Sequence, residues 1–282
     1  MDVARLYLPA IILHEWEGRN SLKSMPDGHR RRFHHSGLVG RYVSSHYLLL
    51  ALLFFAGLEM ISVFHQWVLT WLVGLILILS YGIVLIRVEE RQSFSWRQTL
   101  LPLFAATGLA GLVLFLPRTP LMHLYYVLAA LIFYLTLKHG AKQAYPTWNW
   151  TLSVIVLFLN TAVITGLHDQ LYSVPVAVVS AVVFSLGALL SFQGWRKLAP
   201  GWATATLLSL VLGLVLSELS WVLNFLPVHF YIKAGVVTCA FYVLFNITCL
   251  SQEKRLHVRD IVEYGVVSMV AVLILIASTD WT

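Results

Sequence analysis

Long apolar runs alternate with short polar clusters along most of the chain, and nine of them approach the length of a bilayer. They cover approximately 46–65, 67–87, 99–117, 120–137, 148–167, 173–193, 202–226, 229–250 and 260–279. A hydrocarbon core about 30 Å thick is crossed by roughly 20 residues of α-helix. The runs are rich in Leu, Val and Ile and lack the two-residue alternation of a lipid-facing barrel strand, so each predicts a helix. The pattern predicts an all-α integral membrane protein with nine transmembrane helices. Residues 46–282 form the bundle, and 1–45 form a basic N-terminal arm that is cytoplasmic or interfacial.

Composition strengthens this picture. The 282 residues are 59% hydrophobic and 11% charged, with a mean hydropathy of +0.79. A soluble domain carries about 25% charged residues, and its surface-to-volume ratio leaves too few buried positions for so many apolar side chains. A net charge of +6 would by itself admit a nucleic-acid partner. Placement of the charges argues otherwise. With the N-terminus inside, the cytoplasmic segments are 1–45, 88–98, 138–147, 194–201 and 251–259, and 17 of the 19 Lys and Arg residues fall on that side. Only Arg118 and Lys233 fall on the other. This is the positive-inside asymmetry, and it puts the N-terminus in the cytoplasm and the C-terminus outside. The cluster Arg30, Arg31, Arg32 can serve as a retention signal, grip anionic lipid head groups or dock a partner. No nucleic-acid motif accompanies it.

Residues 1–13 are apolar but short, contain Pro9 and lack a cleavage site, so they read as an interfacial segment rather than a signal peptide. Cys239 and Cys249 share one run. At ten residues apart on a helix they are separated by about 15 Å, too far to bridge. The connections are too short to house a soluble domain. Phe115-Leu116-Pro117 closes the third run and Phe225-Leu226-Pro227 the seventh, each followed by a His and a Tyr. Ile61–His65 and Ile164–His168 close the first and fifth in a similar way. The offsets, 110 and 103 residues, suggest two parallel four-helix halves plus a ninth helix.

Polar residues inside spans are costly and mark function by default. Glu59, Asn160, Glu218, Asn224, His229 and Lys233 fall mostly in the outer half or at its boundary, near His65, His123, His168 and Asp169. A suitable bundle would gather them into an outward-facing polar pocket, with Glu218 and Lys233 close enough across the Pro227 turn to pair. The plainer account treats the aromatic and His residues as an interfacial belt, Lys233 as snorkelling, and the carboxyls as helix-to-helix hydrogen-bonding groups. The histidines gather at span ends, a poor arrangement for haem or metal ligands. Ala106/Ala110 and Thr107/Gly111 place small residues four apart, as close helix packing requires. No hydrolase elbow, phosphate loop, metalloprotease motif or CxxC occurs, so no catalytic, metal or cofactor site is assigned.

The stretch from Glu218-Leu219-Ser220-Trp221 through Phe225-Leu226-Pro227 to Glu263-Tyr264 and Trp281 resembles an uncharacterised family of bacterial polytopic membrane proteins. The resemblance implies a bacterial cytoplasmic membrane and no particular reaction. Three functions remain. The foremost is a non-catalytic subunit or scaffold packing against partner proteins, pigments or lipids. The second is a transporter or lipid-handling protein working through Glu59 and Glu218. The third is a membrane enzyme acting on a lipid-linked substrate.

Overall fold

The computed structural model describes residues 36–63, 68–89, 96–117, 119–141, 146–171, 174–196, 201–252 and 257–277. The chain divides into two units, Met1–His46 and Tyr47–Thr282. Of the first, only helical backbone from Ser36 onward is described, and everything below concerns the second. Arg30, Arg31 and Arg32, and with them most of the basic arm, lie outside the described residues, as do His65, Trp67 and Arg118.

Each apolar run overlies one helix. In chain order these are α1 (Ser36–Val63), α2 (Val68–Glu89), α3 (Trp96–Leu112, extended by a 3-10 turn Val113–Phe115), α4 (Leu121–Ala141) and α5 (Pro146–Leu171). Then follow α6 (Val176–Trp195), α7 (Trp202–Leu223), α8 (Phe230–Gln252) and α9 (Val258–Ala277). Among the described residues there is no strand. Six helices, α4 to α9, are long and apolar enough to cross a membrane. The first three carry shorter apolar segments, His46–Ile61, Thr70–Ile86 and Thr99–Phe115.

Helix ends follow the proline chemistry. The α3 run tightens into its 3-10 turn before Pro117, because the residue before a proline is pushed out of helical geometry. At the end of α7, Asn224 donates its N–H to Ser220, and Phe225 and Leu226 make three-residue turns to Val222 and Leu223 ahead of Pro227. The helix therefore stops at Leu223, three residues short of the apolar run. Pro102 sits inside α3, a break that membrane helices tolerate when neighbours satisfy the freed backbone groups.

The interior is built around α5 and α8. Helix α5 packs against α3, α4, α6 and α8, while α8 packs against α5, α6, α7 and α9. The tightest pair is α6 with α7. A Cβ on Gly213 would lie 2.8 Å from the Phe184 carbonyl oxygen, so only glycine lets these two backbones approach so closely. Gly108 does the same for α3 against α5, where a Cβ would lie 2.8 Å from that of Leu159. Close packing through small residues replaces the hydrophobic driving force that helices lack in lipid. Ala105, Ala106 and Ala110 of α3 are fully buried as well.

At the other end of α8, Phe245 meets two indoles. Trp150 stacks on it at 3.5 Å and Trp195 lies parallel to it at 5.2 Å. Helix α9 differs from the rest, for no residue in it is buried. It touches the bundle along one edge, where Tyr264 meets Tyr242 edge-on.

Candidate functional site

Most of the polar side chains within the spans are engaged inside the chain. Asn160, in the C-terminal half of α5, donates Nδ2 to the carbonyls of Phe104 at 2.7 Å and Val156 at 2.8 Å. Its Oδ1 accepts the Thr107 hydroxyl at 2.9 Å. One amide thus staples α5 to α3 just after Pro102, with its donors and acceptor engaged. Nearby, Tyr125 of α4 donates its hydroxyl to the Leu109 carbonyl of α3.

Lys233 lies in the first turn of α8 and is only 4% exposed. Its ammonium pairs with both oxygens of Asp169, at 2.8 and 2.9 Å. Asp169 falls in the last turn of α5, where the helix dipole disfavours an anion, and the dipole at the start of α8 disfavours a cation. Neither residue suits its own helix end. Each compensates the other, and the pair fastens α5 to α8. Thr165 adds a hydroxyl contact to the Phe230 carbonyl at 3.5 Å on the same seam. His168 donates Nδ1–H to the Val174 carbonyl at 2.6 Å, tying the end of α5 to the chain entering α6.

Glu59 near the end of α1 meets His123 at the start of α4, Oε1 to Nδ1 at 2.9 Å. The two acid–base pairs match in sequence. Each spans 64 residues, and a shift of 110 residues carries Glu59 to Asp169 and His123 to Lys233.

The remaining candidates sit apart. Asn224 caps the end of α7 by donating Nδ2 to the Ser220 carbonyl at 2.7 Å, and its Oδ1 is buried without a partner among the described residues. His229 is exposed in the following turn and stacks on Tyr231 at 5.0 Å. Glu218 is exposed on the outer face of α7 and makes no hydrogen bond or ion pair among the described residues. The partner that Lys233 takes is Asp169, not the Glu218 that its nearness in sequence suggested. Among the described residues no bond joins Glu59, which meets His123, to the exposed Glu218. Asp169 and His123 are the members that the sequence placed near the candidate pocket at the outer boundary without naming them as partners. Their matching offsets were the available signal.

Among the described residues, no group of three or more His, Cys, Asp and Glu side chains is arranged to hold a metal ion. An open groove of about 430 Å³ between Phe104 of α3 and the face Ala177, Ala181, Ser185 of α6 is almost entirely apolar. The Ser185 hydroxyl there is bonded to the Ala181 carbonyl at 2.8 Å.

Helices of this length and apolarity, tied by internal polar staples, define a multi-pass helical membrane protein. Residues 49–278 match the family described as protein of unknown function (DUF5656), and the chain belongs to that family. The match covers far more of the chain than the C-terminal stretch that carried the resemblance, and that family is indeed uncharacterised. No curated protein and no solved structure matches the chain.

Proposed function

We propose that this protein is a non-catalytic membrane subunit or scaffold of a bacterial cytoplasmic membrane, crossing it nine times with its N-terminus in the cytoplasm. The observation that carries the reading is where the polar side chains go. Asn160, Lys233, Asp169, Glu59, His123 and Tyr125 are bonded to other helices of the same chain. Side chains committed to internal bonds favour a rigid platform over a reaction centre. The basic arm, through Arg30, Arg31 and Arg32, would grip anionic head groups or a partner on the cytoplasmic side.

The matched pairs support a construction from two parallel halves, α1–α4 and α5–α8, with α9 added. In each half an acid near the end of the first helix meets a base at the start of the fourth. Parallel repeats also occur in transporters, so the same observation favours transport as the second reading. There Glu59 would belong to an outward polar pocket with Asn160, Glu218, Asn224, His229 and Lys233.

Native mass spectrometry of the protein from its own membrane, with reconstitution into liposomes, separates the two. The subunit reading expects a partner at fixed stoichiometry that survives Glu59→Gln and Glu218→Gln. It is contradicted by a protein that purifies alone and drives a solute or proton flux abolished by Glu59→Gln.

A further inference from the structure

We infer that the outer face of α7 is the contact between two copies of this chain, with Glu218 at its centre. The exposed residues Leu207, Val211, Leu214, Glu218, Trp221 and Phe225 recur at alternating spacings of four and three. This is the a/d seam of a left-handed helix pair, with Val211 and Glu218 at a and Leu207, Leu214 and Trp221 at d. An apolar stripe of this kind would suit lipid equally well. The carboxyl group is what lipid does not suit. It sits five residues from the end of the candidate span Trp202–Leu223, about 8 Å along the axis. Helical side chains lean toward the N-terminus of their own helix, so the carboxyl is carried toward the middle of the span rather than its nearer end.

A second copy satisfies this group. All copies of one membrane protein insert in the same orientation, so α7 meets α7 in parallel and like positions face one another. A carboxyl group in hydrocarbon is costly without a hydrogen-bonding partner, and a carboxylic acid is both donor and acceptor. Two such groups at facing a positions complete each other, and a single polar a residue fixes register and partner number. Twofold contacts of this self-complementary kind are the commonest in homo-oligomers. The inference rests on the subunit reading and names one of its partners as the chain itself.

The test is dimerisation of the full chain in liposomes, read by energy transfer between labelled copies over a dilution series. Cysteine cross-linking in native membranes, with Cys239→Ser and Cys249→Ser as background, supplies the geometry. Glu218→Gln keeps a donor and an acceptor and should leave the dissociation constant within about threefold of wild type, whereas Glu218→Leu should weaken it about tenfold. Leu214→Cys and Trp221→Cys should cross-link two copies, while Met269→Cys on the exposed face of α9 should not. Equal dimerisation of wild type and Glu218→Leu, or equal cross-linking at Leu214 and Met269, would overturn the inference. So would a wild-type chain that stays monomeric in liposomes. If that monomer still held a different protein at fixed stoichiometry in its own membrane, the subunit reading would stand without the self-contact.

Discussion

Lys233 and Asp169 show how a single pair can outweigh helix-end preferences. A cation at the start of α8 and an anion at the end of α5 each work against the local dipole, yet together they form a two-oxygen contact around an almost fully buried ammonium. Breaking one partner strands a buried charge, at a cost of about 3–5 kcal/mol. Lys233→Met or Asp169→Leu should therefore lower unfolding stability in detergent by that amount, whereas the two combined should recover most of it. A double variant as unstable as the sum of the singles would contradict the pairing. Asn160 answers to a gentler scale. Interhelical hydrogen bonds in membranes contribute about 0.6 kcal/mol on average and about 1.7 at most, so Asn160→Leu should destabilise by roughly 1 kcal/mol in the same assay. Sequence marked Asn160, Glu59 and Lys233 as polar groups inside apolar runs. It did not supply the partners, because Thr107, His123 and Asp169 lie 53 to 64 residues away and are chosen by the packing of helices.

Among the elements, the seams that sequence could suggest are those with small residues at helical spacing. Thr107 and Gly111 in α3 stood out in this way, and α3 does pack closely on α5 through Gly108 and Gly111. The tighter seam between α6 and α7 was not legible, since Gly187 and Gly213 lie alone in Leu- and Val-rich runs. Their role appears only when Phe184 and Leu216 are seen facing them. Overpacking such a contact costs about 1–3 kcal/mol. Gly213→Val should lower stability by that much in a denaturant titration, while the same change at Gly74, which faces open space, should leave it within about 0.5 kcal/mol. Similar losses at both positions would mean that the α6–α7 seam is not close-packed. Helix ends were legible only to within a few residues, as at Leu223, where the turns before Pro227 stop the helix inside its apolar run.

For the whole molecule, the run lengths foretold an all-helical membrane bundle because spanning hydrocarbon leaves the backbone few alternatives. Helix positions could be read for the same reason: an apolar run of about 20 residues is both the signal and the structure. The acid–base pairs add a feature of larger scale. Related by a 110-residue shift, they join α1 to α4 and α5 to α8. The proposed arrangement of two parallel halves and one extra helix would cross the membrane an odd number of times and so place the two ends of the chain on opposite faces.

Single-cysteine labelling in sealed, oriented membranes, with Cys239→Ser and Cys249→Ser as background, tests that topology most directly. Cysteines replacing Ser21, Ser93, Ala144 and Ala199 should react only with a reagent on the cytoplasmic side. Those replacing Thr119, Ser173, Val228 and Thr282 should react only from outside. Labelling of Ser21 and Ala199 from opposite faces, or of Ser21 and Thr282 from the same face, would contradict the nine-crossing arrangement.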